Sequence, residues 1–377
     1  MQVLADKQTS YVVLGAGGFI GGAMVERLAC VGARVTALIH RSPGAAFIAR
    51  FGVPIRTVDV CDMKELLKAL CDCEVLFHCV MGDQRTITSG LENTLQAAAR
   101  LRIRRIVYLS TAVVHSYAGS HPLTITEPLS PPSWSGYARA KAKAERQIRQ
   151  WRSRALDCVV LRPFIVYGPR SMQWSVKPAR SILSGTAYMV EGGHGRCNLV
   201  YIEHLLDAML LAAHHPQADS RTYLIDDEFG LTWSDYYHAL CDSLGVPRCT
   251  VRSIGRDQLR YPEYERTGSL DWLKEFPEVV QGVVQSQCLR GWLRRTPGLK
   301  LARQVFQRRA QPAWAIENNR EIPVEIERSL AELHCYPRKV DASVARVHLG
   351  WAPRFTFEET MQRVLEWYRF IELKRSE

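Results

Sequence analysis

Short apolar runs alternate with longer amphipathic stretches over the first 230 residues of the chain. The apolar runs are rich in β-branched and aromatic residues and predict strands over residues 11–14, 34–39, 55–58, 74–78, 104–110, 157–161 and 222–226. The stretches between them have helical periodicity and predict helices over about residues 23–33, 63–70, 90–100, 136–153 and 200–214. This alternation predicts βαβ units and an open, doubly wound parallel sheet.

A glycine-rich turn joins the first predicted strand to the first predicted helix. Gly15, Gly18 and Gly21 follow one another at a three-residue spacing, and Phe19 and Ile20 between the last two glycines are further candidates for cofactor binding. Such a turn allows the backbone to approach a pyrophosphate, which the N–H groups at the helix N-terminus can bind. We therefore predict a dinucleotide site of the Rossmann type, although an ordinary strand-to-helix turn with packing glycines is the alternative.

The alternation ends after about residue 230, where prolines separate short helical stretches before a last predicted helix over residues 357–373. The predicted fold class is α/β, a Rossmann-type doubly wound parallel sheet with a smaller, mainly helical C-terminal substrate lobe. We expect a dinucleotide-binding domain over residues 1–163 and a mainly substrate-binding lobe over residues 164–377. Residues 198–227 are expected to return to the sheet.

Composition is that of an ordinary globular protein, with 47% hydrophobic and 23% charged residues. The eleven cysteines lack zinc-ligand spacing and form no even disulfide set, so we expect reduced thiols, no metal site and a cytoplasmic protein. Neither a signal peptide nor an apolar run of about 18 residues is found, which argues against export and membrane insertion.

The net charge of +11 comes largely from one segment, because no acidic residue lies between Glu278 and Glu317. Seven cationic residues interleave there with apolar ones, mostly over residues 289–309: Arg290, Arg294, Arg295, Lys300, Arg303, Arg308 and Arg309. This segment could cover the substrate cleft, lie on an anionic membrane surface or hold a phosphorylated substrate. The alternative is a solvated helical insertion; nucleic-acid binding is not predicted, because no recognition motif accompanies the charge.

The end of the second predicted strand bears on the choice of cofactor. An acidic residue there would bind the adenosine ribose 2′-hydroxyl, whereas a basic residue accommodates a 2′-phosphate. His40 and Arg41 occupy this position. They favour NADP(H) over NAD(H), with a solvated turn arginine as the alternative.

Three further residues have the chemistry of proton transfer. Tyr137 and Lys141 lie four residues apart at the start of a predicted helix and therefore on one face of it, where an ammonium group would favour the phenolate. Thr111 follows the fifth predicted strand, at the sheet edge where ligands bind. The three could serve a carbinol or carbonyl oxygen during hydride transfer. The alternatives are that Tyr137 and Lys141 form an ordinary i,i+4 pair on a helix surface and that Thr111 is a polar cap at the end of a strand.

Taken together, these motifs resemble the extended short-chain dehydrogenase/reductase superfamily, of the NAD-dependent epimerase/dehydratase type. The resemblance covers about residues 11–250 and 340–377. Its motifs are GAGGFIG at 15–21, FHC at 77–79, YLSTAVV at 108–114, YARAK at 137–141, LRPFIVYGPR at 161–170, NLVYIEHLLDA at 198–208 and LGWAPRFTFEE at 349–359.

The resemblance implies a role for each matching residue. Tyr137 would be the general acid/base, Lys141 would bind the nicotinamide ribose and tune Tyr137, and Thr111 would orient the reacting oxygen. Asp59 and Val60 would contact adenine. Cys79 would line the nicotinamide ribose, and Pro163 would lie beside the nicotinamide.

The chain departs from the family pattern at two positions that affect function. Ile87 stands where many members have asparagine, and Arg196-Cys197 replaces an arginine-aspartate pair. Arg196 is a candidate for a substrate phosphate, with a turn arginine as the alternative. The sequence therefore predicts an NADP(H)-preferring oxidoreductase acting on a secondary alcohol or ketone of a small molecule, with biosynthetic or hydrophobic compounds as candidates.

Two alternatives stay open: a nucleotide-sugar epimerase or dehydratase with tightly bound NAD, and a non-catalytic NADP-sensing protein. A homodimer is compatible with each of these functions.

Overall fold

A computed structural model describes residues 5–154, 156–218, 220–261 and 324–371. Its centre is a seven-stranded sheet in which all neighbouring strands run parallel, in the order β10-β6-β5-β4-β1-β2-β3. The strands are β1 Ser10–Leu14, β2 Arg34–Ile39, β3 Ile55–Thr57, β4 Val75–His78, β5 Arg105–Leu109, β6 Cys158–Pro163 and β10 Thr222–Ile225. The strand order reverses between β1 and β4, which is the switch point where ligands bind in such sheets.

Helices cover both faces of the sheet, as the predicted alternation requires. They are α1 Phe19–Cys30, α2 Met63–Ala69, α3 Leu91–Leu101, α4 Gly136–Arg152 and α6 Ile202–His214, and a π-helical turn, Thr86–Gly90, leads into α3. Strand β1 shows the consequence for packing. Tyr11 and Val13 belong to one buried apolar cluster, whereas Val12 and Leu14 belong to the cluster on the opposite face. The Rossmann-type α/β fold is thus confirmed.

Local sequence explains where the long helix α4 begins. The hydroxyl of Ser135 accepts a hydrogen bond from the backbone N–H of Ala138 at 3.2 Å, as expected for an N-cap serine. This fixes the register of the helix. Tyr137 and Lys141 therefore lie in its first two turns.

Several predicted boundaries were wrong, among them that of the first helix, which is Phe19–Cys30 and not residues 23–33. Strand β6 does not stop before Arg162-Pro163 but includes both residues, because a proline at the end of a strand loses only one ladder donor. The helix predicted to start at residue 200 begins at Ile202, since Leu199–Tyr201 forms a short strand, β9, that pairs with β7.

Further strands and α-helices among the described residues lie outside the seven-stranded sheet. They are β7 Ile165–Tyr167, α5 Lys177–Leu183, β8 Tyr188–Val190, α7 Trp233–Leu244, β11 Arg252–Ile254, α8 Arg328–His334, α9 Ser343–Leu349 and α10 Phe357–Phe370. These belong with the sheet to one compact unit, residues 1–256 and 327–377. A second unit spans residues 257–326, and its described part pairs β12 Leu259–Arg260 with β13 Val324–Glu325 in parallel.

The basic 289–309 segment and the whole span from 279 to 316 lie outside the described residues. Within the residues that are described, no helix combines the length and the apolar character needed to cross a bilayer.

Candidate functional site

The glycine turn packs so closely that it leaves no room for side chains at two positions. Gly15 has a φ of +86°, and a Cβ there would lie 2.7 Å from the carbonyl carbon of Cys79. A Cβ on Gly21 would lie 2.3 Å from the carbonyl oxygen of Gly15. The first glycine thus brings the ends of β1 and β4 together, and the third brings α1 against the turn.

The N-terminus of α1 is suited to an anion. Gly18 is its N-cap residue, no side chain caps the helix, and its first turn contains no acidic residue. Phe19 and Ile20 form that first turn and are half-buried. Backbone N–H groups and the positive end of the helix dipole are therefore available to a phosphate, so the turn fits the pyrophosphate of a dinucleotide.

His40 and Arg41 follow the end of β2 directly and are both exposed. The loop that carries them folds back onto the glycine turn, because a Cβ on Gly17 would lie 3.0 Å from the Cα of Gly44. The backbone N–H of Gly44 donates to the carbonyl oxygen of Arg41 at 2.9 Å. The two basic residues therefore lie on a loop that touches the turn expected to hold the cofactor phosphates.

The residues expected near adenine follow β3. Asp59 is exposed and its carboxylate accepts a hydrogen bond from the N–H of Cys61 at 2.8 Å. Val60 is buried against Gly90, where a Cβ would lie 2.5 Å from Val60 Cγ2. Asp59 thus shapes a turn, and Val60 packs it onto the helical segment that leads into α3.

Lys141 is buried beneath the carboxyl end of β5, with only 3% of its surface exposed. Its Nζ donates to the carbonyl oxygen of Leu109 at 2.8 Å and to the hydroxyl of Tyr108 at 3.3 Å. Burial lowers the pKa of Lys141 to about 8, while Cys79 and Glu145 act in the opposite direction. The ammonium group is thus fixed at the end of the central strand and titrates near neutral pH.

Tyr137 and Thr111 lie at the same end of the sheet. Tyr137, one helical turn before Lys141, is 39% exposed and therefore accessible to a substrate. Burial, followed by the charges of Tyr137 and Glu145, raises the pKa of the Tyr108 phenol well above its ordinary value. Thr111 is buried two residues after Leu109, and its hydroxyl accepts a hydrogen bond from Val113 N–H at 3.4 Å.

Cys79 and Pro163 lie at the ends of β4 and β6, the strands on either side of β5. Cys79 follows β4, and its N–H donates to the carbonyl oxygen of Leu14 at 2.8 Å. Burial raises the pKa of its thiol to about 12, so it is neutral at physiological pH. Pro163 is buried at the end of β6. Together with Gly15 and Thr111, these residues place parts of four adjacent strand ends along one edge of the sheet.

A buried charged network behind this edge was missed by sequence reasoning. Arg162 Nε donates to Glu145 Oε1 at 2.9 Å, Ser110 donates to the same carboxylate oxygen, and Arg162 contacts His115 Nε2 at 2.9 Å. Arg162 and Glu145 are only 5% and 4% exposed. Two signals could have revealed it: Glu145 lies one turn after Lys141, and Arg162 interrupts an otherwise apolar strand.

His115 completes the network as a neutral ring. Its Nδ1 lies 3.2 Å from the carbonyl oxygen of Pro128, so Nδ1–H donates there and Nε2 accepts from Arg162. Burial, with the positive charge of Arg162, lowers the pKa of His115 to about 4. The network thus joins the ends of β5 and β6, helix α4 and the loop that follows Thr111.

Arg196 is not brought to the Tyr137 edge by any described contact. Its guanidinium donates to the carbonyl oxygen of Gly230 at 3.2 Å, and its backbone bridges to Thr232. These contacts match the turn-arginine alternative. Ile87 is buried in the π-helical turn, so its side chain offers no polar contact there.

The chain was compared with known families and proteins. Residues 11–225 match the model of the NAD dependent epimerase/dehydratase family. The chain is 26% identical over 275 residues to a 2-alkyl-3-oxoalkanoate reductase of Shewanella oneidensis, covering 67% of this chain and 70% of that protein. It is 27% identical over 228 residues to a 4-hydroxy-2-methyl-3-oxo-4-farnesyl-3,4-dihydroquinoline-1-oxide ketoreductase of Stigmatella aurantiaca, covering 57% and 67%.

Solved structures share the fold at low sequence identity. The UDP-glucose 4-epimerase of Thermotoga maritima, solved with UDP-glucose, has a TM-score of 0.68 and 18% identity over 97% of this chain and all of that one. A dTDP-glucose 4,6-dehydratase of Streptomyces venezuelae, solved with NAD, has a TM-score of 0.67 and 18% identity over 96% of this chain and 97% of that chain. The chain therefore belongs to the NAD-dependent epimerase/dehydratase family and is an oxidoreductase of the extended short-chain dehydrogenase/reductase type.

Proposed function

We propose that the protein is an NADP(H)-preferring ketone reductase in which Tyr137, Lys141 and Thr111 form the catalytic group. The observation that carries this proposal is that Lys141 is buried at the end of β5, where its Nζ donates to the carbonyl oxygen of Leu109. The accessible Tyr137 lies one helical turn before Lys141, and Thr111 follows Leu109 by two residues. This arrangement places a proton donor, a fixed positive charge and a hydroxyl along one sheet edge. Such a set serves hydride transfer at a carbonyl carbon.

The chemistry divides between the cofactor and the protein. The reduced nicotinamide supplies the hydride to the carbonyl carbon. Tyr137 donates its phenolic proton to the carbonyl oxygen, and the Lys141 ammonium stabilises the phenolate that remains until solvent reprotonates it. Thr111 donates a hydrogen bond to the same oxygen, because its hydroxyl accepts from Val113 and keeps its own hydrogen for this contact. Reduction converts one ketone and one NADPH, with one proton, to an alcohol and NADP⁺.

Preference for NADP(H) is supported by the basic loop after β2. His40 and Arg41 are exposed there, and the loop touches the glycine turn. A 2′-phosphate on the adenosine ribose would be attracted to this pair, whereas a carboxylate that could accept from a free 2′-hydroxyl is absent from the end of β2.

An apolar substrate is supported by an aromatic cluster made of Tyr117, Trp134, Phe164 and Tyr336, in which Phe164 and Tyr336 are buried and Tyr117 and Trp134 are half-buried. Tyr117 packs edge-on against Trp134 at 5.8 Å and against Tyr336 at 5.3 Å between ring centroids, and Phe164 lies 5.0 Å from Tyr336. Trp134 is three residues before Tyr137, and Tyr137 contributes to the raised pKa of Tyr117 after burial, Tyr336 and Glu332. We propose a ketone with an alkyl or prenyl-like chain, in agreement with the names of the two reductases above.

The division of labour between residues 1–163 and 164–377, with residues 198–227 returning to the sheet, stays part of this proposal. The ten cysteines among the described residues are all free thiols, which supports a reducing, cytoplasmic location.

The proposal is tested by assaying wild-type protein and Tyr137→Phe with NADPH and NADH against a panel of 3-oxo acids and other alkyl ketones. Wild type is expected to oxidise NADPH faster than NADH in a ketone-dependent way. Tyr137→Phe is expected to bind NADPH with unchanged affinity and to lose at least about 100-fold in kcat, the range of general acid catalysis.

Tyr223→Phe is the matched control, because it removes a buried hydroxyl on strand β10 of the same sheet that has no hydrogen-bond partner among the described residues. A Tyr137→Phe rate near that of the control would refute the assignment of Tyr137. Wild-type protein that carries tightly held NAD and oxidises no cofactor would instead indicate an epimerase or dehydratase, and cofactor binding without any turnover would indicate a sensor.

A further inference from the structure

The hydroxyl of Tyr108 is placed to act on Lys141. Tyr108 is fully buried on the central strand β5, and its hydroxyl oxygen accepts a hydrogen bond from Lys141 Nζ at 3.3 Å. The same Nζ lies 4.7 Å from the centre of the Tyr108 ring. The other acceptor of the ammonium is the carbonyl oxygen of Leu109, the next residue. The lysine is thus held by two consecutive residues of one strand.

The groups around Lys141 leave this hydroxyl a distinct role. Glu145 lies one turn further along α4, but its carboxylate accepts from Arg162 and Ser110. Cys79 faces Lys141 from the end of β4 as a neutral thiol. Among the described contacts, no carboxylate reaches Nζ. The ammonium therefore relies on neutral oxygen atoms, one of which is the Tyr108 hydroxyl.

His78, at the end of β4, packs against Tyr108 on the side facing that strand. Its ring centre lies 5.1 Å from that of Tyr108, and neither ring nitrogen has a hydrogen-bond partner in the described part of the chain. Burial and the positive charge of Lys141 lower the pKa of His78 to about 3, so the imidazole is neutral. Ile87, in the segment that packs nearby against α4, adds no polar group. The environment of Lys141 is thus dry and short of acceptors.

We propose that Tyr108 is a positioning residue of the reaction, whose hydroxyl holds the Lys141 ammonium at the strand end and favours its charged form. This inference rests on the proposed function, in which Lys141 stabilises the Tyr137 phenolate. A hydrogen bond to the charged form of a buried amine stabilises that form more than the neutral one. Removing only the oxygen atom keeps the aromatic ring and the Leu109 acceptor, but makes protonation of Lys141 less favourable.

A direct test uses the intact protein with ¹³Cε-labelled lysine, titrated by NMR in the presence and absence of NADPH. The Lys141 resonance is identified by its loss in Lys141→Met. In wild type it is expected to titrate at a pKa of about 8. In Tyr108→Phe the pKa should fall by about one unit, and in Tyr223→Phe it should stay at the wild-type value. Equal titration in wild type and Tyr108→Phe would overturn the inference.

A kinetic test separates positioning from mere folding. The alkaline limb of kcat/KM for ketone reduction should move to lower pH in Tyr108→Phe by the same amount as the Lys141 pKa, while the rate at pH 6.5 stays within about threefold of wild type. A uniform loss of rate at every pH, with an unchanged limb, would show a structural role only. If wild type reduces no ketone, the proposed function fails, and the NMR comparison alone decides whether Tyr108 holds Lys141.

Discussion

The two ends of the candidate site are constructed in different ways. At the cofactor end, the glycine turn of residues 15–21 is shaped by backbone packing, and two of its glycines leave no space for even one carbon atom. At the reacting end, side chains from β5, α4, β6 and the loop after Thr111 form a buried polar network around Glu145 and Arg162. The cofactor end depends on the absence of side chains at neighbouring glycines. The reacting end depends on side chains that are far apart in the chain.

This difference predicts different failures. The glycine turn is destabilised when atoms are added to it, because neither the turn nor the adjacent strand end can move away. The buried charge network is destabilised when one charge is removed, because the opposite charge is then buried without a partner. Substitutions at the two ends can therefore be matched in size and compared.

The largest effect is expected for Glu145→Gln. The change keeps the shape of the side chain but leaves the Arg162 guanidinium buried without its carboxylate, which costs about 3–5 kcal/mol of unfolding free energy. Urea denaturation of wild type and variant measures this loss. Asp242→Asn is the control, because Asp242 pairs with Arg248 on the surface, where both side chains are more than half exposed, and its loss should stay under about 1 kcal/mol. Equal effects of the two variants would show that the inner pair is well hydrated.

A somewhat smaller loss is expected for Gly21→Ala, about 3 kcal/mol, because the added methyl group meets the Gly15 carbonyl and forces α1 away from the turn. Thermal unfolding without cofactor detects this loss. Gly18→Ala is the matched variant: its Cβ would lie 3.4 Å from the Gly15 oxygen, so its stability should be close to wild type while NADPH binding weakens, since Gly18 is expected to face the pyrophosphate. If both variants lost stability equally, the distinct roles of the two glycines would be wrong.

The same contrast explains what could be predicted from the sequence. The strand and helix order and the glycine turn were predicted because their signals are local: alternation of apolar runs and a three-residue glycine spacing. Arg162 was interpreted as the end of β6 because a charged residue before proline is typical of a break. Its actual partner, Glu145, lies 17 residues away, and only the packing of α4 against the strand ends brings the two together. Tyr108 was similarly hidden among apolar strand residues.

His78 joins the two ends, since in the sheet it pairs with Leu14 of β1 on one side and with Tyr108 of β5 on the other. Burial lowers its pKa to about 3 from an ordinary value of 6.5. Between these two pH values the unfolded chain binds a proton that the folded protein does not. The unfolding free energy therefore falls as the pH is lowered below 6.5, by up to about 1.4 kcal/mol per pH unit.

His78→Leu is accordingly expected to change stability by less than about 1 kcal/mol at pH 7, because neither ring nitrogen of His78 has a partner in the described part of the chain and an apolar side chain of similar size loses no hydrogen bond. At pH 4.5, two pH units below the ordinary pKa of 6.5, the variant should exceed wild type by up to about 2.7 kcal/mol, since leucine cannot take up the proton. His115, with its pKa of about 4, remains in both proteins, so urea denaturation across pH 4.5–7 isolates the contribution of His78. The exposed His121, replaced by leucine, serves as the control for the loss of an imidazole at the surface. A variant at position 78 that kept the wild-type acid dependence would mean that the imidazole is hydrated, and with it the Lys141 environment that both ends of the site share.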